Sequence, residues 1–252
     1  MSLLSVNQMG VTLRRRIVFQ DISFDVQPRE MIGLIGPNGA GKSTLMRASL
    51  GLLAHTGTST IAQMKARKRA HAVAWMPQSR EIAWPVSVER IVALGRLPHL
   101  AAGQKMPPQD QAHVEAAIAR LGLERLRNRA ASRLSGGEQA RTLIARSLAQ
   151  DTPLLMADEP IAGLDPAHQI STMQVFRDLA EEGRSVVVSI HDLGLAARHC
   201  TRLILLAQSR ILADGPPEQV LTPDLMARAF GISIWHHTTP YGPVFQPLEV
   251  VS

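Results

Sequence analysis

The nine residues Gly36-Pro-Asn-Gly-Ala-Gly-Lys-Ser-Thr44 constrain the fold of this chain more than any other stretch. They satisfy the spacing G-x-x-x-x-G-K-[ST], follow the apolar run Met31 to Ile35 and precede the helix-compatible stretch Leu45 to Leu50. A strand, a glycine-rich turn and a helix in that order make a phosphate cradle. Gly36, Gly39 and Gly41 let backbone N–H groups turn inward on phosphate oxygens, and the helix start adds its positive dipole end. Lys42 can reach β and γ phosphates and the Ser43 hydroxyl can take Mg²⁺, with Pro37, Asn38, Ala40 and Thr44 completing the loop. Without those flanks the same residues would read as an ordinary turn.

The rest of the chain reads as α/β. Met31 to Ile35, Leu154 to Ala157, Val186 to Ile190 and Leu203 to Leu206 are short, continuous apolar runs, as expected of parallel strands buried on both faces. Between them, Val114, Ala117, Ile118 and Leu121 keep helical spacing, as do Ile170, Met173, Phe176, Leu179 and Ala180, with Gly122 and Gly183 as stops. This alternation predicts a mostly parallel sheet with helices on both faces and ligands beyond the carboxyl ends of the strands. From about Ser79 to Gln150 the pattern is helical without a strand, broken by Gly and Pro between Leu97 and Pro108. The expectation is one domain over residues 1–252 with a helical subdomain, about 79–150, inserted in the α/β core.

Composition narrows the class. Of 252 residues, 45% are hydrophobic and 19% charged, which excludes disorder and low complexity. The single cysteine, Cys200, cannot form an internal disulfide, so a reducing compartment is expected. The basic residues Arg14 to Arg16 follow the uncharged first stretch, the wrong order for a secretory signal. Pro240, Pro243 and Pro247 interrupt the uncharged stretch Gly231 to Leu248, so it is not a membrane helix. A net charge of +6 suits nucleotides, nucleic acid or an acidic membrane and selects none of them.

A second acidic element accompanies the phosphate loop. Pro153-Leu-Leu-Met-Ala-Asp-Glu-Pro160 is an apolar strand ending in adjacent carboxylates. Consecutive strand residues point to opposite sides, so Asp158 is assigned to Mg²⁺ and Glu159 to the attacking water, as general base.

Leu134-Ser-Gly-Gly-Glu138, continued by Gln139, Ala140 and Arg141, resembles the signature motif of ABC-type ATPases. In physical terms Ser135, Gly136 and Gly137 open a second anion-binding helix N-terminus, and one ATP cannot need both within one chain. The resemblance implies that two such domains pack head to tail, Ser135 to Glu138 of one capping the γ-phosphate on the phosphate loop of the other. Gln78, in Trp75-Met-Pro-Gln78, is similar to the glutamine-loop residue that contacts Mg²⁺ and water and couples the site to a membrane partner. Asp165, in Ala162-Gly-Leu-Asp165, resembles the aspartate loop at the dimer seam, and His191 the switch histidine that contacts the γ-phosphate. The resemblance spans about Leu3 to Phe230, and implies ATP and Mg²⁺ as cofactors and an antiparallel β edge at the N-terminus.

The pattern is broken at one place. Where the family commonly has an aromatic to stack on adenine, this chain has Leu13, followed by Arg14 to Arg16. Either one of these guanidinium planes stacks on the base, or the arginines form a solvated basic turn.

One phosphate loop and no membrane segment make the chain resemble the separate ATPase subunit of an importer, peripheral on the cytoplasmic face. Its implied partners are permease subunits and, through them, a substrate-binding protein. Leu94-Gly-Arg-Leu-Pro-His99 resembles a stretch typical of ATPases serving iron-siderophore, haem and cobalamin permeases, and Gly242-Pro-Val-Phe-Gln-Pro247 is loosely consistent with it. Ala83-Trp-Pro-Val-Ser-Val88 is similar instead to manganese and zinc importer ATPases. The opposing class, a soluble ABC protein acting on nucleic acid or ribosomes, would be favoured by a long coiled-coil insertion or a second ATPase domain, and neither is in the sequence. Lys65-Ala-Arg-Lys-Arg69 lacks the interleaved aromatics of a nucleic-acid site, and His236-His237 lacks neighbouring ligands for a tetrahedral metal set.

Overall fold

Every residue of Met31–Ile35 is buried, because a layer lies on each side of it. In the computed structural model, which describes residues 2–79, 82, 85–101, 103–240 and 242–251, the first half of the chain runs β1 (Leu4–Leu13), β2 (Arg16–Val26), β3 (Met31–Ile35), α1 (Lys42–Ser49), β4 (Thr56–Ser59), α2 (Ala66–Ala72) and β5 (Val73–Met76). The helices α3 (Val88–Ala93), α4 (Pro108–Arg120) and α5 (Gly136–Ala149) follow, then β6 (Leu154–Asp158), α6 (Pro166–Glu181), β7 (Ser185–Ser189) and α7 (Leu193–His199). The chain ends with β8 (Arg202–Ala207), β9 (Arg210–Gly215), α8 (Pro217–Val220), α9 (Pro223–Phe230), β10 (Ile232–Thr239) and β11 (Gly242–Val250).

The central sheet has the order β5-β6-β7-β3-β8-β9, parallel except at the β8–β9 edge. Alternate residues feed two cores. Met31, Ile35, Leu155, Ala157, Val186, Val188, Leu203 and Leu205 face helices α3 to α7, meeting Ile91, Val114, Ile144 and Phe176. Ile32, Leu34, Leu154, Met156, Val187, Ile204 and Leu206 face α1 and the second sheet, meeting Leu45, Met46, Val6, Phe19 and Ile22. Each Val, Leu, Ile, Met or Phe among them contributes roughly 1.5–3 kcal/mol on burial, which is why these strands read as unbroken apolar runs.

The second sheet, antiparallel in the order β2-β1-β4, is the N-terminal β layer. Strand β7 ends at Ser189 rather than Ile190, so Ile190 already belongs to the turn leading to His191. The Pro-rich C-terminal stretch forms the hairpin β10–β11. Among the described residues its strands pair with each other alone, and an edge strand tolerates the missing N–H of Pro243 and Pro247.

Between β5 and β6 the described residues hold helices and short 3₁₀ turns, with one isolated bridge from Ser87 to Ala130. In the 3₁₀ turn Leu94–His99, a Cβ on Gly95 would lie 2.2 Å from the Arg146 carbonyl oxygen, so only glycine lets the turn approach α5 this closely. Arg96 is buried and donates from Nε to Asp110 (2.7 Å) and from Nη1 to the Ala149 carbonyl (2.8 Å). The His99 ring meets the Gln150 carbonyl at 2.8 Å. The Gly-Arg-x-Pro-His residues thus turn inward to clamp the end of α5, leaving Leu94 and Leu97 exposed. In the Ala83 to Val88 run, Ala83 and Trp84 lie outside the described residues, while Ser87 caps α3 by accepting from the Arg90 amide.

Candidate active site

The site assembles at the carboxyl ends of β3, β6 and β7. After β3 the chain turns sharply at Gly36, where φ is 149° and a Cβ would lie 2.0 Å from the Leu206 carbonyl oxygen, so a side chain is excluded. The loop then runs through Pro37, exposed Asn38 and Gly39, and Ala40, into α1 at Gly41. Helix α1 has neither a side-chain cap nor an acidic residue in its first turn, which leaves its N-terminal amides open to an anion. Ser43 and Thr44 are half-buried behind them.

Lys42 is 6% exposed, and its Nζ donates to the carbonyls of Gly36 (2.7 Å) and Pro37 (3.2 Å). Burial pushes its pKa down, against an opposing pull from the Glu159 and Asp158 carboxylates. The ammonium therefore gains whenever phosphate oxygens arrive.

Strand β6 ends on Asp158, 3% exposed, whose Oδ1 accepts from Ser189 Oγ at 2.6 Å. Glu159 follows with φ 49° and its amide donates to the same Ser189 Oγ (2.8 Å). The divergence expected of the two carboxylates is present. Glu159 points elsewhere, its Oε2 accepting from Gln78 Nε2 (2.9 Å) and its Oε1 meeting His191 Nε2 (2.7 Å). Three residues found in separate motifs thus share one carboxylate. Burial tends to raise the Glu159 carboxyl, but bonds from His191 and Gln78, with the charges of His191 and Lys42, leave it below the ordinary carboxylate value.

The sequence reading missed Ser189, which holds both acidic residues. Its signal was a hydroxyl inside the otherwise aliphatic run Val186 to Ile190. It also missed Asp192, which caps α7 by accepting from the Leu195 amide (2.8 Å) and so fixes the segment carrying His191.

Ser135 caps α5 in a reciprocal box: the Glu138 amide donates to Ser135 Oγ (3.3 Å) and the Ser135 amide to Glu138 Oε2 (2.8 Å). The box uses two amides and leaves those of Gly136 and Gly137 at an exposed helix start. Among the described residues no hydrogen bond joins 135–138 to the phosphate loop. Asp165 caps α6, its Oδ1 accepting from the His168 amide (2.9 Å) while its Oδ2 meets His168 Nδ1, bonds that hold its carboxyl low. Leu13 ends β1, and the exposed Arg14 and Arg15, with φ of 49° and 65°, form the two-residue turn into β2.

Magnesium suits this donor set: the Ser43 hydroxyl, the buried Asp158 carboxylate and the Gln78 amide are hard oxygen donors. Among the described residues no three His, Cys, Asp or Glu side chains form a metal cluster.

The ABC transporter family profile matches residues 19–162. The chain is 40% identical over 244 residues to a cobalamin import ATP-binding protein, BtuD, of Halobacterium salinarum, covering 94% of this chain and 61% of that protein's length. It is 37% identical to a hemin import ATP-binding protein, HmuV, of Pseudomonas fluorescens (94% and 96% covered). Identity to the manganese transport ATP-binding protein MntB of Halalkalibacterium halodurans is 35% (89% and 90% covered). A chain of a metal-chelate type ABC transporter, solved in an inward-facing conformation, superposes with TM-score 0.86 at 26% identity, covering 99% of this chain and 98% of that one. With its phosphate loop, its Asp158-Glu159 strand end and these relatives over nearly its whole length, the chain belongs to the ABC transporter family of ATP-binding proteins.

Proposed function

We propose that this chain is the ATP-hydrolysing subunit of an importer for a metal chelate: an iron chelate, haem or cobalamin. The observation that carries the ATPase reading is the Glu159 carboxylate held between Gln78 and His191 beside the phosphate loop. Cobalamin- and hemin-import relatives support the cargo class. The manganese relative keeps a divalent-metal importer as the second reading.

The chain's residues divide the work. Gly36 to Thr44 wrap the β and γ phosphates, and Lys42 exchanges its two loop carbonyls for phosphate oxygens. Ser43, Asp158 and Gln78 are the residues that would hold Mg²⁺, which would supply positive charge against the developing negative charge of the phosphates. Glu159, ionised because its carboxyl is held low, accepts the proton of the attacking water. His191 fixes one carboxylate oxygen and lies on the γ-phosphate side, and Gln78 fixes the other. Ser135, Gly136, Gly137 and Glu138 cap the γ-phosphate on a second copy in a head-to-tail homodimer, with Asp165 at the seam. The Arg14–Arg16 turn supplies a guanidinium for the base where Leu13 offers no ring.

We place the subunit on the cytoplasmic face of the membrane against permease subunits, with the helical segment 79–150 inserted in its core domain. No helix among the described residues is long and apolar enough to cross a bilayer. The test is recovery of the tagged chain from its native membranes in mild detergent. Co-purification with a polytopic permease is expected; recovery only in ribosomal or nucleic-acid fractions would overturn the importer reading.

A further inference from the structure

Helix α7 begins beside His191 and ends at His199, and at that far end a cavity of 510 Å³ opens between α7, α8 and the β10–β11 hairpin. His199 lines it, is 5% exposed, and has no hydrogen-bond partner at either ring nitrogen. An unpaired buried polar group costs roughly 1–3 kcal/mol, and the isolated fold gives nothing in return for it. Burial pushes the imidazole pKa down, with Arg177 and Arg198 adding to the effect, so the neutral ring offers one N–H donor and one acceptor.

The other lining groups define what could sit there. Arg177 and Arg198 bring positive charge; Arg177 donates to Glu181 (3.1 Å), while no ion pair engages Arg198 among the described residues. Glu218 is the sole carboxylate in the described lining. The remaining wall is largely apolar, with Leu221, Val244 and Phe245, and also carries Thr201, His236 and His237. Cys200 also borders the space, but burial pushes its thiol up to about 12, so it is not a nucleophile near neutral pH. A cavity of this size, mostly apolar with a few convergent polar groups, is the ordinary form of a small-molecule site.

We propose that this cavity binds a small organic carboxylate with an apolar body. Its carboxylate takes the His199 N–H and the charge of Arg198, and its body lies against Leu221, Val244 and Phe245. None of these groups belongs to the nucleotide site, so the inference stands or falls apart from the ATPase reading.

The test is calorimetric titration of the nucleotide-free full chain with octanoate, 1-octanol and octylamine, each below its aggregation threshold. Saturable one-to-one binding of octanoate is expected, with the alcohol and the amine at least tenfold weaker. Arg198→Gln, a change at an exposed side chain, weakens octanoate at least fivefold. His199→Phe does the same while melting no lower than the wild type, because it removes an unpaired buried polar group. Absence of saturable octanoate binding, equal affinity for 1-octanol, or undiminished affinity in Arg198→Gln would each overturn the proposal. Should His199→Phe fail to fold, Arg198→Gln decides alone.

Discussion

Replacing Arg96 by Met should cost this protein about 3–5 kcal/mol of stability, because the change breaks a buried ion pair from one side only. Side-chain exposures are 6% for Arg96 and 11% for Asp110, with Nη2 2.6 Å from Oδ1. The variant strands the Asp110 carboxylate and also removes the donor to the Ala149 carbonyl, 2.8 Å away. Asp110 lies in the first turn of α4, where the helix dipole offsets some of the stranded charge, so the lower part of the range is expected. At roughly 2–4 °C per kcal/mol for a chain of this size, melting falls by about 6–14 °C. The double variant Arg96→Met/Asp110→Leu removes both charges and should regain at least half of the loss. Urea melts of the four proteins in the cycle measure both quantities. A loss below about 1 kcal/mol in Arg96→Met, or a double variant no better than the single one, would refute the argument that this turn is clamped to α4 electrostatically.

Other consequences are equally open to measurement. Lys42→Ala should weaken ATP binding itself, read by nucleotide titration, since the ammonium is the group that trades loop carbonyls for phosphate. Gly36→Ala forces a Cβ against the Leu206 carbonyl and should lower both the melting temperature and nucleotide affinity. For pH, the folded Glu159 carboxyl is held below the ordinary carboxylate value, so the base stays ionised at neutral pH and is lost only as pH falls through that lowered value. Gln78→Leu removes one of the bonds holding it low while burial still raises it, so the acid limb of kcat should move to higher pH; an unmoved limb counts against the clamp.

The parts of the site that are local in sequence were legible there. The phosphate loop and the Asp158-Glu159 strand end announce themselves within a few residues, because each is a turn or strand end with fixed chemical demands, whereas Ser135 to Glu138 and His191 take their expected roles from the family resemblance. What the sequence hid is pairing at a distance. Ser189 carries no motif, yet its position opposite Asp158 in the β6–β7 register makes it the shared partner of two acidic residues. Arg96 and Asp110 are fourteen residues apart and meet only after the turn folds back on α5. Strands β1, β2 and β4 alternate too irregularly to be located individually, as their register shifts show. The hairpin β10–β11 is Pro-rich, and nothing local told of the cavity it closes over α7.

The central claim is that Glu159, held by Gln78 and His191, is the base. Steady-state ATP hydrolysis by Glu159→Gln, measured beside ATP binding and particle mass, tests it most directly. The account predicts turnover reduced by about 10²–10⁴-fold with ATP binding retained and a dimer accumulating on ATP. Unchanged hydrolysis in that variant would contradict it.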